Sequence, residues 1–245
     1  GILASLFPEV SAEQKAAVLA ACAGSISRRG PDSLDAVQWG RVVIASSVLR
    51  MRRRSCAQPA VDKDGCCVLA WNGEWYEGPS QQSGPRADES DTEFVLGLVA
   101  SAADEATSPE DARSRIARKL AMAVRGEYAF AAYLPTWELL VYGRDPFGRR
   151  SLLTATSREG TFLVASAKPT FQDPKPWREV CPSGLHAVRL LPDGGGFATL
   201  PDEDWPRGPL LDVVRWPLRV AEEEDDDAPE RRRRRRRRGE ESRSP

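Results

Sequence analysis

From Gly126 onward the chain breaks into short apolar segments separated by turns, and this pattern limits the possible folds more than any other feature. Tyr128–Leu134, Glu138–Tyr142, Ser151–Thr156, Thr161–Ser166 and Leu185–Leu191 each read as a strand. Pro135-Thr136, Arg158-Glu159-Gly160 and Asp193-Gly194-Gly195-Gly196 supply turns. Strands joined by tight turns pair antiparallel, because a parallel pair needs a crossover of roughly a dozen residues.

The first half adds more strands and groups the helices. Ile2–Phe7 reads as a buried strand ended by Pro8. Ser11-Ala12-Glu13-Gln14 has capping-box spacing and opens an alanine-rich helix over Ala12–Ala23, stopped by Gly24. Ala36–Trp39 and Val42–Met51 read as a hairpin around Gly40, and Gly65–Trp71 as a strand running into Asn72-Gly73-Glu74. Asp91–Ala103 has apolar residues at helical spacing. Ser108-Pro109-Glu110-Asp111 opens a second helix that ends near Val124, with a serine cap, proline in the first turn and acids beside it. Runs of strands with grouped helices indicate an α+β fold with mainly antiparallel sheets.

Charge separates a body from a tail. The 245 residues carry 35 basic and 36 acidic side chains, a net charge of -1 that gives no global pull towards nucleic acid or membrane. Residues 221–245 hold six consecutive acids and eight consecutive arginines, blocks that repel themselves and bury nothing, so this tail is expected to be disordered. The arginine run lacks interleaved aromatics, so nucleic-acid binding is not expected of it. Residues 1–191 are expected to form the folded domain and 192–220 an irregular extension. No apolar run approaches the roughly 20 residues that span a bilayer, and Ile2–Phe7 is too short for a signal-peptide core.

Several chemistries fall with the residue counts. Five cysteines without CxxC spacing and one histidine cannot assemble the usual zinc patterns. The cysteines read as small thiols in a reducing compartment, and a cytoplasmic location is expected. A serine or cysteine triad would have to use His186, which sits in an alternating, strand-like stretch and reads as a strand-face residue.

Four short pieces carry chemistry together: Arg29-Gly30-Pro31-Asp32, Asn72-Gly73-Glu74, Ser90-Asp91-Thr92-Glu93 and Gly143-Arg144-Asp145-Pro146-Phe147-Gly148-Arg149-Arg150-Ser151-Leu152. In this order and spacing the chain resembles the class II glutamine amidotransferase domain, of the N-terminal-nucleophile type, found in asparagine synthetases. Trp177–Val180, Pro182–Leu185 and Phe147–Leu153 are most similar to the asparagine-synthetase-domain-containing branch. The resemblance covers Gly1 to Leu191 and implies a four-layer αββα sandwich with two mainly antiparallel sheets.

It also implies an activity and a site. Members of this family hydrolyse glutamine to glutamate and ammonia through an N-terminal cysteine whose own α-amine, with a pKa near 8, acts as base and then acid. On that pattern the Asn72 side-chain amide and the Gly73 N–H are the oxyanion donors, and Glu74 and Asp91 hold the α-amino group of the substrate. Gly1, Arg29, Asn72, Gly73 and Asp91 are then expected to converge on one cleft. An arginine should hold the α-carboxylate. The family strand reads Arg-Leu where this chain has Val48-Leu49, so Arg50, on the same strand face, is the candidate, with Arg52 next and a solvated basic edge over Arg50–Arg54 as the structural alternative. The Arg29–Asp32 turn is read as bracing the site wall.

Gly1 occupies the second position of the family pattern, so the nucleophilic cysteine is expected immediately before it, and the sequence as it stands is expected to be inactive. Cys22, Cys56, Cys66, Cys67 and Cys181 carry no free α-amine and cannot replace it. No cofactor is implied for this domain. ATP and magnesium would belong to a synthetase domain, the expected partner, whose Ser-Gly-Gly-type phosphate loop has no counterpart in the Asp193–Gly196 turn. The competing reading is a non-catalytic amidotransferase-like interaction protein with a charged tail.

Overall fold

The computed structural model describes residues 1–7, 24–51, 56–76, 88–168, 176–192 and 196–204, with isolated positions 13, 16, 20 and 85. The tail over 221–245, Arg52, Cys22 and most of the helix expected over Ala12–Ala23 lie outside the described residues.

Two sheets form the centre, and every ladder in both is antiparallel. The first contains β1 (Ile2–Leu6), β2 (Ser33–Trp39), β3 (Val42–Val48), β8 (Leu153–Thr156), β9 (Phe162–Ala165) and β10 (Arg178–Glu179), in the order β10-β8-β9-β1-β3-β2. The second contains β4 (Ala60–Val61), β5 (Val68–Trp75), β6 (Gly126–Leu134), β7 (Leu139–Arg144), β11 (Gly184–Leu190), β12 (Phe197–Thr199) and β13 (Glu203–Asp204). Its order is β12-β11-β7-β6-β5-β4, with β13 also pairing β11. The helices α1 (Asp91–Asp104) and α2 (Pro109–Ala123) cover the outer face of this second sheet.

The period-2 alternation of strands sorts side chains between the layers. On β5 and β6, Val68, Ala70, Ala129, Ala131 and Tyr133 face the first sheet and meet Ile2, Ala4, Leu6 and Ile44. Their neighbours Leu69, Trp71, Tyr128, Phe130 and Leu134 face Val95, Val99, Ile116 and Leu120 of the helices. Small alanines on the inter-sheet face let the sheets approach, while aromatics fill the space beneath the helices. Phe130 is fully buried there and packs beside Trp71, ring centroids 6.3 Å apart. Phe130→Ala should cost about 3–5 kcal/mol, read as a lower denaturant midpoint. On the far side of the first sheet, Ile26 packs with Leu3, Ala45 and Ala165.

Several boundaries differ from the sequence pattern, each for a local reason. The first helix does not stop at Gly24; Gly24–Ile26 are helical and run into a 3-10 turn at Ser27–Arg29. β3 ends at Val48 rather than Met51, because Asp32 takes over the pairing: its N–H donates to the Val48 carbonyl, and its carboxylate accepts from the Arg50 N–H at 2.7 Å. β5 starts at Val68 rather than Gly65, since Asp62 closes a turn by accepting from the N–H groups of Gly65 and Cys67. The second sheet continues past Leu191, where β12 and β13 pair with β11. His186 lies on β11, buried and stacked on Tyr142, with Nδ1 2.7 Å from Asp202 Oδ1 and Nε2 2.9 Å from the Cys181 carbonyl oxygen.

Candidate active site

The amino end of the chain is held inside the fold. β1 is a central strand, flanked by β3 and β9. The Gly1 amine donates to the Ser47 carbonyl at 2.5 Å, the Ser47 N–H donates to the Gly1 carbonyl at 2.9 Å, and the Ile2 N–H donates to Ser166 Oγ at 2.8 Å. A Cβ on Gly1 would fall 2.8 Å from Ser47 Oγ and 2.9 Å from the Ile26 carbonyl oxygen, so the packing admits only glycine.

Gly1 opens into a cavity of about 480 Å³, of a size that takes a small ligand. Arg29, Asn72, Gly73, Glu74 and Asp91 line it together with Val48, Gln58, Trp71 and Arg150. Residues far apart in sequence meet here because β5 crosses beneath the end of β3, and α1 begins at the end of β5.

β5 supplies the polar wall. N–H groups of alternate residues leave a strand on the same side. The Trp71 N–H donates to Gln58 Oε1 at 2.8 Å and the Trp75 N–H to Asp91 Oδ2 at 2.9 Å, while the Tyr76 N–H turns the other way to the Arg125 carbonyl. Gly73 lies between Trp71 and Trp75, so its N–H points to their side of the strand. By the same alternation, the Asn72 side chain shares the inter-sheet face with Val68 and Ala70, the face towards β1. A Cβ at Gly73 would fall 2.5 Å from Tyr128 Cβ and 2.8 Å from the Glu127 carbonyl oxygen, so the strand reaches this position only as glycine.

The other pieces frame that wall. Ser90 caps α1 in a reciprocal capping box: its Oγ accepts from the Glu93 N–H, and Glu93 Oε2 accepts from the Ser90 N–H at 2.8 Å. Those bonds hold the Glu93 carboxyl below its ordinary range. Asp91, the first helical residue, therefore ties the start of α1 to β5. The Arg29–Asp32 turn carries Arg29 into the lining, and Asp32 braces the end of β3.

Arg50 is exposed and is not among the residues lining the cavity. The arginines that do line it are Arg29 and Arg150. Neither Gln58 nor Arg150 is expected in the site from the sequence, although Arg150 stands within the Gly143–Leu152 motif. Cys56 also lines the cavity, but burial first and Glu93 second raise its thiol above the usual range, which keeps it in the poorly nucleophilic thiol form.

Burial, reinforced by the charge of Arg29, lowers the Gly1 amine to about 5. An unfolded amine titrates near 8, so between about pH 5 and 8 the unfolded chain binds the extra proton. Stability should therefore rise with pH across that window, most of it being lost by pH 5. Urea midpoints at pH 5.5 and 8 should differ more for the chain with a Gly1 amine than for one in which a preceding residue converts that nitrogen to an amide.

A family model for the glutamine amidotransferase domain matches residues 1–188. The chain belongs to this family. Asparagine synthetase domain-containing protein 1 of Bos taurus is 31% identical to this amidotransferase domain over 172 residues, 68% of this chain and 25% of that protein. An asparagine synthetase domain-containing protein of Saccharomyces cerevisiae is 29% identical over 153 residues, 60% of this chain and 26% of its own. The chain thus spans about a quarter of the length of these relatives. Among solved structures, the glutamine phosphoribosylpyrophosphate amidotransferase of B. subtilis shares the fold, with a TM-score of 0.60 and 17% identity over 85% of this chain and 50% of that one. Among the described residues, no helix is long and apolar enough to cross a membrane, and no cluster of potential ligands could hold a metal ion.

Proposed function

We propose that this amidotransferase domain hydrolyses glutamine to glutamate and ammonia, using a cysteine joined to the Gly1 nitrogen, and that the ammonia serves an ATP-activating synthetase domain in asparagine synthesis. The observation that carries the reading is the position of Gly1, which lines the same cavity as Asn72 and Gly73. A residue attached there would stand against the two donors that β5 presents.

The steps follow from the groups available. The cysteine thiolate adds to the side-chain amide carbon, and the carbonyl electron pair moves to oxygen. That oxyanion accepts from the Asn72 amide and the Gly73 N–H, donors fixed by β5. The intermediate collapses, the nitrogen leaves with a proton from the cysteine's own ammonium, and a thioester remains. Water, deprotonated by the same amine, releases glutamate and the thiolate. Glu74 and Asp91 face the substrate's α-ammonium.

The asparagine-synthesis part of the reading is supported by the relatives' names and by the share of their length lying outside this match. The test is product analysis: glutamine incubated with the chain carrying a free-amine cysteine before Gly1 should give glutamate and ammonia in equal amounts. Absence of both products from the folded protein would leave a non-catalytic amidotransferase fold.

A further inference from the structure

We propose that Arg150 is the anchor for the α-carboxylate of the substrate. The proposal rests on the glutamine-hydrolysing reading and adds a residue to it. A carboxylate entering a half-buried cavity needs a cation to offset its lost hydration. Among the described residues lining the cavity, the cations are Arg29 and Arg150. Position 48, where the family pattern has arginine, is Val48, and Arg50 stands outside the lining.

Stereochemistry chooses between the two. The α-ammonium and α-carboxylate of an amino acid share one carbon, so the anchors for both must be neighbours. Arg150 Nη2 lies 2.6 Å from Glu127 Oε1, and Glu127 is the direct cross-strand partner of Glu74 in the β5–β6 ladder. Arg150 therefore belongs to the Glu74 end of the cavity. Arg29 belongs to the other end, where its charge acts on the Gly1 amine. A glutamine whose amide reaches Gly1 and Asn72 extends its α-carbon towards Glu74, away from Arg29.

Charge and rigidity agree with this assignment. Glu127 is shared between Arg150 and Arg149, the latter at 3.9 Å, so one carboxylate faces two guanidiniums. The loop carrying Arg150 is locked from beneath. Buried Arg144 donates through Nε to the Arg150 carbonyl at 2.6 Å and through Nη1 to Glu179 and the Val180 carbonyl, and its Nη2 donates to the Gly148 carbonyl. The Asp145 carboxylate, fully buried, accepts from the N–H groups of Tyr128, Phe147 and Arg149. Ser151 Oγ donates to the Ser166 carbonyl at 2.7 Å. The Gly143–Leu152 motif thus serves to present one arginine in a fixed place, and a preorganised fork suits a planar carboxylate.

Calorimetric titration of the 245-residue chain with L-glutamine tests this without requiring turnover. Arg150→Ala should weaken glutamine binding about 10–100-fold, the scale of one hydrogen-bonded charge pair. Arg150→Lys should recover part of it, since the charge returns without the fork. Binding of 4-aminobutanamide, which is glutamine without its α-carboxylate, should be the same in Arg150→Ala as in the unsubstituted chain. Unchanged glutamine affinity in Arg150→Ala, an equal loss for 4-aminobutanamide, or a loss that appears at Arg50→Ala instead would overturn the assignment. Failure of the unsubstituted chain to bind glutamine would count against the glutamine-hydrolysing reading itself and overturn the assignment with it.

Discussion

A cysteine placed directly before Gly1, with its amine free, should convert a chain with no measurable glutamine turnover into one that releases ammonia. The expected gap is roughly a millionfold, the scale on which removing a covalent nucleophile acts. It is large because two groups arrive together, the sulfur that attacks and the amine that moves the proton. Gly1, Asn72, Gly73, Glu74 and Asp91 already line one cavity. β1 is pinned between β3 and β9, so the added residue would have little freedom in where it sits. Cys56 lines the same cavity, yet its raised thiol and lack of an attached amine make it a poor substitute for the added cysteine. A coupled assay for ammonia with both chains checks this. Comparable rates would show that another group carries the reaction.

In the cysteine-bearing protein, Asn72→Ala should lower kcat by ~10²–10³ and leave KM nearly unchanged. In the proposed mechanism the Asn72 amide would contact charge that develops only in the transition state, so its loss should not be felt when glutamine binds. Asp91→Ala should show the opposite split, mainly a raised KM, because the ammonium it is proposed to face would be the same in the ground and transition states. Asp91 also accepts from the Trp75 N–H, so part of its effect comes from loosening the end of β5. Steady-state kinetics on the two variants read this contrast. Equal effects on kcat and KM in both would mean that the substitutions disturb the wall rather than the chemistry.

The parts of the fold that are local in sequence were legible. Ser90 with Glu93, and Ser108 with Pro109, announce their helices because the capping groups lie within one turn of each other. The alternation in Tyr128–Leu134 announces β6, whose two faces serve two cores. Contacts between distant residues were not legible. β3 ends at Val48 because of a bond from Arg50 to Asp32, a residue on the preceding turn. β12 and β13, of three and two residues, are too short for any period to show and exist through their pairing with β11.

The candidate site divides in the same way. Asn72 and Gly73 could be named because they match the family motif, and the structure puts both on the cavity wall. Arg50 was named from strand periodicity, but that periodicity stops two residues before it. Arg150 sits in the cavity because Arg144 and Asp145, within its own motif, and Glu127 hold its loop; the motif was visible in the sequence, but the direction in which it presents Arg150 was not.

In the proposed function, the residue joined to Gly1 meets the substrate's side-chain amide. The most direct test is covalent labelling of the cysteine-bearing protein with a glutamine analogue that carries a chloromethyl ketone in place of that amide, followed by peptide mass spectrometry. One adduct is expected, on the cysteine attached to Gly1, blocked by excess glutamine and absent from Cys56. An adduct on Cys56, or none on the amino-terminal cysteine, would contradict the proposed function.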